Sequence, residues 1–328
     1  TLNKRAVDRS PVICPGGMMN SAIVEIMKKT GNKLPDGHHD SEVMTKIAND
    51  VHENTGFENF GIPFCMTVEA EVLGSEINYG SLSCEPKIQK EIFPSVSDVV
   101  YKKLGSMEKN SRVKAIIKST YILSKKHPDV PVIGSLTGPV STSASIVDPI
   151  NFLKDLRKKA SDSHKVIDYA TNHIIEFARL MIENGATVIS IADPTATGEI
   201  LGPRMFKEYA VTYLNKVVDG IHAMDTPVII HICGKMNSVK KYIPELKSDA
   251  ISVDALVNLK DLKQEYPQLT TMGNLSTFLL EFSEPEKILS QTERLVKEGI
   301  DIISPACGLS TSTPLKNITS MTEVVKGS

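Results

Sequence analysis

The stretch Thr226-Pro-Val-Ile-Ile-His-Ile-Cys-Gly234 decides the fold. A short, β-branched, almost wholly apolar run opens at a proline and ends abruptly in imidazole, thiol and glycine. An apolar run without alternation marks a strand buried on both faces, which is the signature of a parallel sheet covered by helices. Seven further runs of the same kind lie along the chain, at residues 11–14, 57–64, 131–136, 187–192, 250–253, 270–274 and 301–306. Helical periodicities separate most of them: between 163 and 183, Ile167, Ala170, Ile174, Ile175, Ala178 and Met181 recur at three- and four-residue steps. Strands alternating with helices predict an α/β fold, and eight such strands predict closure into one (β/α)8 TIM barrel spanning residues 1–328. An insertion is expected around 81–130, where the turn-rich Phe93-Pro-Ser-Val-Ser precedes a charged helix over 102–126.

Composition narrows the function. The 328 residues are 41% hydrophobic and 23% charged, enough for a large core without disulfides. Lys and Arg total 37 against 39 Asp and Glu, with no basic, aromatic-interleaved patch, so no nucleic-acid partner is expected. No apolar run approaches the roughly 20 residues of a membrane span. Residues 1–9 are polar and lack a signal core. The five cysteines, at 14, 65, 84, 233 and 307, are odd in number and form no CxxC pair, so a reducing cytoplasm is the expected setting.

In a barrel of this kind the reactive groups sit where strands end. Residues two apart on a strand share a face, so His231 and Cys233 can converge on one point. Cys307, at the tip of the last run and followed by Gly308, offers a third soft donor. Two cysteines and one histidine leave the fourth position of a tetrahedral zinc ion open, the pattern of a catalytic site; buried thiols and a satisfied strand histidine are the plain alternative. Asp254 reads as an orienting partner for His231, as a completing zinc ligand, or as a helix cap. Asp193 reads as a contact for a bound substrate or cofactor, or as a cap with Pro194 in the first turn. Gly16 and Gly17 suit either close approach of a ligand or a tight turn, and Met18 and Met19 suit either a hydrophobic wall or rim filling. Cys14, Cys65 and Cys84 are expected to be packing thiols, and His38 and His39 a solvated loop.

Five segments carry a resemblance: Val12-Ile-Cys-Pro-Gly-Gly-Met-Met, Ile191-Ala-Asp-Pro, His231-Ile-Cys-Gly-Lys, Gly273-Asn-Leu-Ser, and Gly299-Ile-Asp-Ile-Ile-Ser-Pro-Ala-Cys-Gly, with Thr313-Pro-Leu-Lys-Asn beyond them. In these the chain resembles the uroporphyrinogen decarboxylase-like superfamily and, within it, the methylcobalamin:coenzyme M methyltransferases. The resemblance implies that His231, Cys233 and Cys307 hold zinc (Zn2+), and that Gly16, Gly17, Met18 and Asn274 contact the corrinoid. It implies transfer of a methyl group from methylcobalamin on a corrinoid protein to the zinc-bound thiolate of coenzyme M, giving a methyl thioether and Co(I). The decarboxylase branch holds its polycarboxylate substrate with arginines after the first strand; here that loop carries none, so decarboxylation is not expected. No Asp-x-His-x-x-Gly segment is present, so the methylated corrinoid must come on a partner protein. No basic residue at a strand end answers the sulfonate of coenzyme M. Tetrahydrofolate as acceptor, or a non-catalytic corrinoid- or zinc-binding module, therefore stands as the alternative.

Overall fold

A computed structural model describes residues 1–327. Nine strands are present: β1 (Phe60–Ile62), β2 (Glu76–Asn78), β3 (Lys87–Lys90), β4 (Val132–Thr137), β5 (Val188–Ala192), β6 (Val228–Ile232), β7 (Ala250–Val253), β8 (Thr271–Leu275) and β9 (Ile302–Pro305). Seven of them form one all-parallel sheet in the order β1-β4-β5-β6-β7-β8-β9, and β2 and β3 make a separate antiparallel hairpin. Every residue of β4 to β9 is buried, because helices cover the outer face and neighbouring strands fill the inner one.

The eighth stave is residues 11–14, and it is not the ladder-paired strand that the sequence led us to expect. It makes a single parallel bridge, Val12 to Ile303, through Ile13 N–H to Ile303 O at 3.0 Å and Ile303 N–H to Pro11 O at 2.9 Å. Pro11 and Pro15 bracket it and have no N–H to give, so a full ladder cannot form. On its other side the missing rungs come from side chains. Glu58 Oε2 accepts from Val12 N–H at 2.8 Å, Asn59 Oδ1 accepts from Cys14 N–H at 2.9 Å, and Asn59 Nδ2 donates to Cys14 O at 2.9 Å. Closure of the barrel on this side thus rests on two polar side chains just before β1 and on one backbone bond, Glu58 N–H to Val12 O at 2.9 Å.

Between β1 and β4 the chain leaves the barrel wall. The β2–β3 hairpin has exposed residues on both faces and was not legible as strand. The crossover helix runs over Ser111–Lys126, starting at Asn110, whose side chain accepts from Arg112 and Val113 N–H, and not at 102. Gly105 in a left-handed conformation breaks the chain before it.

Arg9 donates to both oxygens of Glu58, at 2.6 and 3.1 Å. Partial burial pushes the Glu58 carboxyl up, but the Arg9 guanidinium and Val12 N–H outweigh it and hold the group below its ordinary value of 4.5. A carboxyl depressed on folding stabilises above its unfolded pKa, and that contribution is lost as pH falls through the folded value, here below 4.5. Glu58→Gln should therefore cost about 1–3 kcal/mol in urea unfolding at neutral pH, and the difference from wild type should shrink in acid below the carboxyl range.

Candidate metal centre

β6 and β7 pair in register so that His231 stands opposite Ser252. Both point into the barrel while Ile230 and Ile232 turn outward into the helix layer. His231 Nδ1 meets Ser252 Oγ at 2.9 Å, and its Nε2 lies 3.0 Å from Cys233 Sγ. Cys233 Sγ is 3.5 Å from Cys307 Sγ, just beyond β9. The three donor atoms all lie within 4.8 Å of one another, and among the described residues this is the one histidine, cysteine and acid cluster of its kind. His231 is buried and the two cysteines are half-buried, so the group opens on one side.

Cys233 Sγ and Cys307 Sγ share a hydrogen bond whose proton either sulfur can donate. It pulls the Cys307 thiol well below its ordinary range against burial, helped by His231 and by the N–H of Gly308. The same hydrogen bond, together with burial and the charge of Asp254, pushes Cys233 up. A divalent cation would replace that proton, and two thiolates with one imidazole suit zinc rather than magnesium or calcium.

The open side faces a cleft of ≈ 810 Å³ walled by Met18 and Met66, by Cys84 and Glu85 before β3, by Phe278 on the helix Thr277–Phe282, and by Cys307. The expected Asp254 partnership with His231 is not made, because Ser252 occupies Nδ1. Nor is Asp254 the following helix's cap, a role filled by Asn258. Asp254 instead clips the turn after Cys233: its Oδ2 accepts from Gly234 N–H at 3.2 Å and its Oδ1 from Leu256 N–H at 2.9 Å. Gly234 has φ 72°, and Glu199 secures the same turn by accepting from Lys235 N–H at 3.2 Å. Asn274 Nδ2 donates to the carbonyls of Asp254 and Val257, at 2.9 and 2.7 Å, so its amide nitrogen holds the neighbouring loop.

Asp193 is fully buried and touches no member of the cluster. Its oxygens accept from Val140 N–H, Ser141 N–H and Ser141 Oγ at 3.0, 2.8 and 2.6 Å, so it caps the helix Pro139–Ile146 after β4 and not the one after its own strand. Burial raises its pKa despite those donors. The close approach that Gly16 and Gly17 permit is to the protein itself. A Cβ at Gly16, where φ is +94°, would lie 2.7 Å from Gly61 C, and one at Gly17 would lie 2.7 Å from Ser135 Cβ. That turn seats Met18, whose Sδ lies 3.8 Å from Cys233 Sγ, and buried Met19, which takes the Ser252 hydroxyl at 3.9 Å.

Cys14 and Cys65 are buried. Cys14 donates to Met19 O at 2.9 Å, its thiol pushed up by burial to about 12, and Cys65 accepts from Arg112 Nη2 at 2.7 Å. Cys84 is exposed at the cleft. The expected solvated loop at His38 is a buried one: His38 is 1% exposed, and burial, with Arg112 nearby, lowers its pKa to about 3. Ser252, Glu85 and Glu199 were missed by sequence reasoning. Of these only Ser252 carried a signal, as a hydroxyl inside an apolar run one register step from His231.

The uroporphyrinogen decarboxylase (URO-D) family matches residues 1–328, and the chain belongs to it. Over 99% of its length it is 31% identical to the methylcobamide:CoM methyltransferase MtbA of Methanosarcina acetivorans, covering 95% of that protein. It is 30% identical over 97% of its length to the methylcobamide:CoM methyltransferase MtaA of Methanosarcina barkeri, covering 93% of it. A solved methyltransferase from Methanosarcina mazei superposes with a TM-score of 0.93 at 28% identity, over 99% of this chain and 96% of that one. Uroporphyrinogen decarboxylase of Prochlorococcus marinus is 25% identical over 80% of the chain and 78% of its own length. No described helix is long and apolar enough to cross a membrane.

Ser252 is the residue that orients the imidazole. Ser252→Ala should lower the affinity for zinc about tenfold to a hundredfold in a chelator competition while leaving the thermal unfolding midpoint nearly unchanged.

Proposed function

We propose that this chain is a methyltransferase that moves a methyl group from a methylated corrinoid, presented by a separate protein, to the sulfur of coenzyme M, at a zinc ion held by His231, Cys233 and Cys307. The observation that carries the reading is the convergence of those three donors, one of which, Cys307, lines a cleft open to one side. The names of the full-length relatives point to the same donor and acceptor.

Zinc, when bound, supplies the Lewis acidity that keeps an acceptor sulfur as thiolate near neutral pH. With the Ser252 hydroxyl turned to Met19 Sδ and its Oγ 2.9 Å from Nδ1, the Nδ1–H tautomer of His231 would leave the Nε2 lone pair facing the cluster. Cys233 and Cys307 bring two negative charges, so the centre is close to neutral and a sulfur held there stays nucleophilic. Asp254 and Glu199 act as positioning residues, fixing the turn that aims Cys233. Asp193 steadies the helix after β4 and takes no part in chemistry. The methyl carbon leaves cobalt and bonds to sulfur while cobalt retains the electron pair, passing from Co(III) to Co(I). Glycines 16 and 17 shape the loop beside which the corrinoid would dock, and Met18 lines its approach. A cytoplasmic setting suits a centre built on free thiols.

Methylcobalamin demethylation with coenzyme M, together with zinc content, tests this. Wild type should carry one zinc and methylate coenzyme M, and Cys307→Ala should lose the metal and fall at least about a hundredfold in rate. Full activity in His231→Ala, or turnover with tetrahydrofolate but with no thiol, would overturn it.

A further inference from the structure

The loop that carries Met18 is held with unusual closeness over the metal-ligand cluster. Gly17 lies against β4 at Ser135, and on the other side a Cβ at Gly308 would come within 2.4 Å of Met18 O. Three glycines, at 16, 17 and 308, thus clear the space that sets this one backbone segment next to Cys307. The outcome is a third sulfur: Met18 Sδ sits 3.8 Å from Cys233 Sγ, while the two cysteine sulfurs are 3.5 Å apart. A tetrahedral centre with bonds of about 2.3 Å to sulfur has sulfur-sulfur edges of roughly 3.8 Å. Both separations match edges of such a tetrahedron, so the thioether lies one such edge from Cys233.

Asp254, the other nearby candidate, has an oxygen in each of two backbone hydrogen bonds, whereas the Met18 sulfur is engaged by Cys233 alone. Met18 and Cys307 also line the same cleft, so any thiol reaching the open position passes the Met18 side chain. A thioether is neutral, soft and flexible, and it binds zinc far more weakly than a thiolate does.

We propose that Met18 Sδ is the fourth donor of the metal centre in the absence of an acceptor thiol and swings aside when that thiol enters. The inference rests on His231, Cys233 and Cys307 holding a metal. In that role the side chain shields the centre from water between turnovers, and its soft sulfur tilts selectivity toward thiophilic ions such as Cd(II).

The test uses the full chain labelled with [methyl-13C]methionine, the Met18 signal being assigned by its loss in Met18→Leu, a substitution close in volume. One equivalent of Cd(II) should shift that methyl resonance, and coenzyme M should return it toward the metal-free position. Met18→Leu should weaken Cd(II) about tenfold and zinc less, by competition with a chelator. If wild type and Cys307→Ala bind Cd(II) alike, the underlying three-ligand reading fails. If wild type binds tightly through the cysteines, with the sulfur-to-metal charge-transfer band present, but the Met18 signal does not move, the Met18 assignment alone is overturned. A shift that coenzyme M does not reverse overturns the displacement.

Discussion

Barrel closure at residues 11–14 is the constraint on which the centre depends. The donors come from β6 and from the end of β9, separated around the ring by β7 and β8, and only a closed, curved sheet brings their sulfurs to 3.5 Å. The closing stave is pinned to β9 by two backbone hydrogen bonds and to the chain before β1 by Glu58 and Asn59. The same stave runs straight on into the Gly16-Gly17-Met18-Met19 turn. Whatever fixes the seam therefore fixes the loop over the cluster too, and a weakness there would be felt at the far end of the barrel.

A second anchor lies under the cleft wall. Arg112, 1% exposed, donates to Thr67 Oγ1, Glu71 Oε2 and Cys65 Sγ at 3.0, 2.8 and 2.7 Å. A guanidinium taken out of water needs partners of this kind; here Nη1 and Nη2 are matched while the buried Nε has none, and removing one partner would leave the charge less compensated still. The arrangement ties the loop after β1, which carries Met66, to the start of the crossover helix.

How much of this was readable in the sequence follows from which forces are local. The apolar runs of β4 to β9 announce themselves because burial on both faces admits hardly any polar residue, and the His231 and Cys233 pair follows from the two-residue pleat. The first stave was misjudged as a regular strand because its rungs come from Glu58 and Asn59, more than forty positions away. Asp254 and Asn274 were read as groups acting on a ligand, and their side chains hydrogen-bond nearby backbone N–H and carbonyl groups, contacts that the sequence pattern does not announce. Asp193 looked like a cap for its own helix, and the sheet's register hands it instead to the helix after β4. Met18 as a sulfur neighbour of Cys233 could not be read at all, because its position depends on Gly16 lying against β1, Gly17 against β4 and Gly308 against the Met18 carbonyl.

The β2–β3 hairpin shares no ladder with the barrel, yet the turn between its strands supplies Ser83, Cys84 and Glu85 to the lip of the cleft. Its residues are thus free of the register that the barrel strands must keep, although Leu82 and Ile88 still pack against the core. A substitution at Ser83, Cys84 or Glu85 would alter the lip of the cleft without entering the ladder that carries His231, so the lining of the cleft and the placement of the three donors rest on separate pieces of the chain.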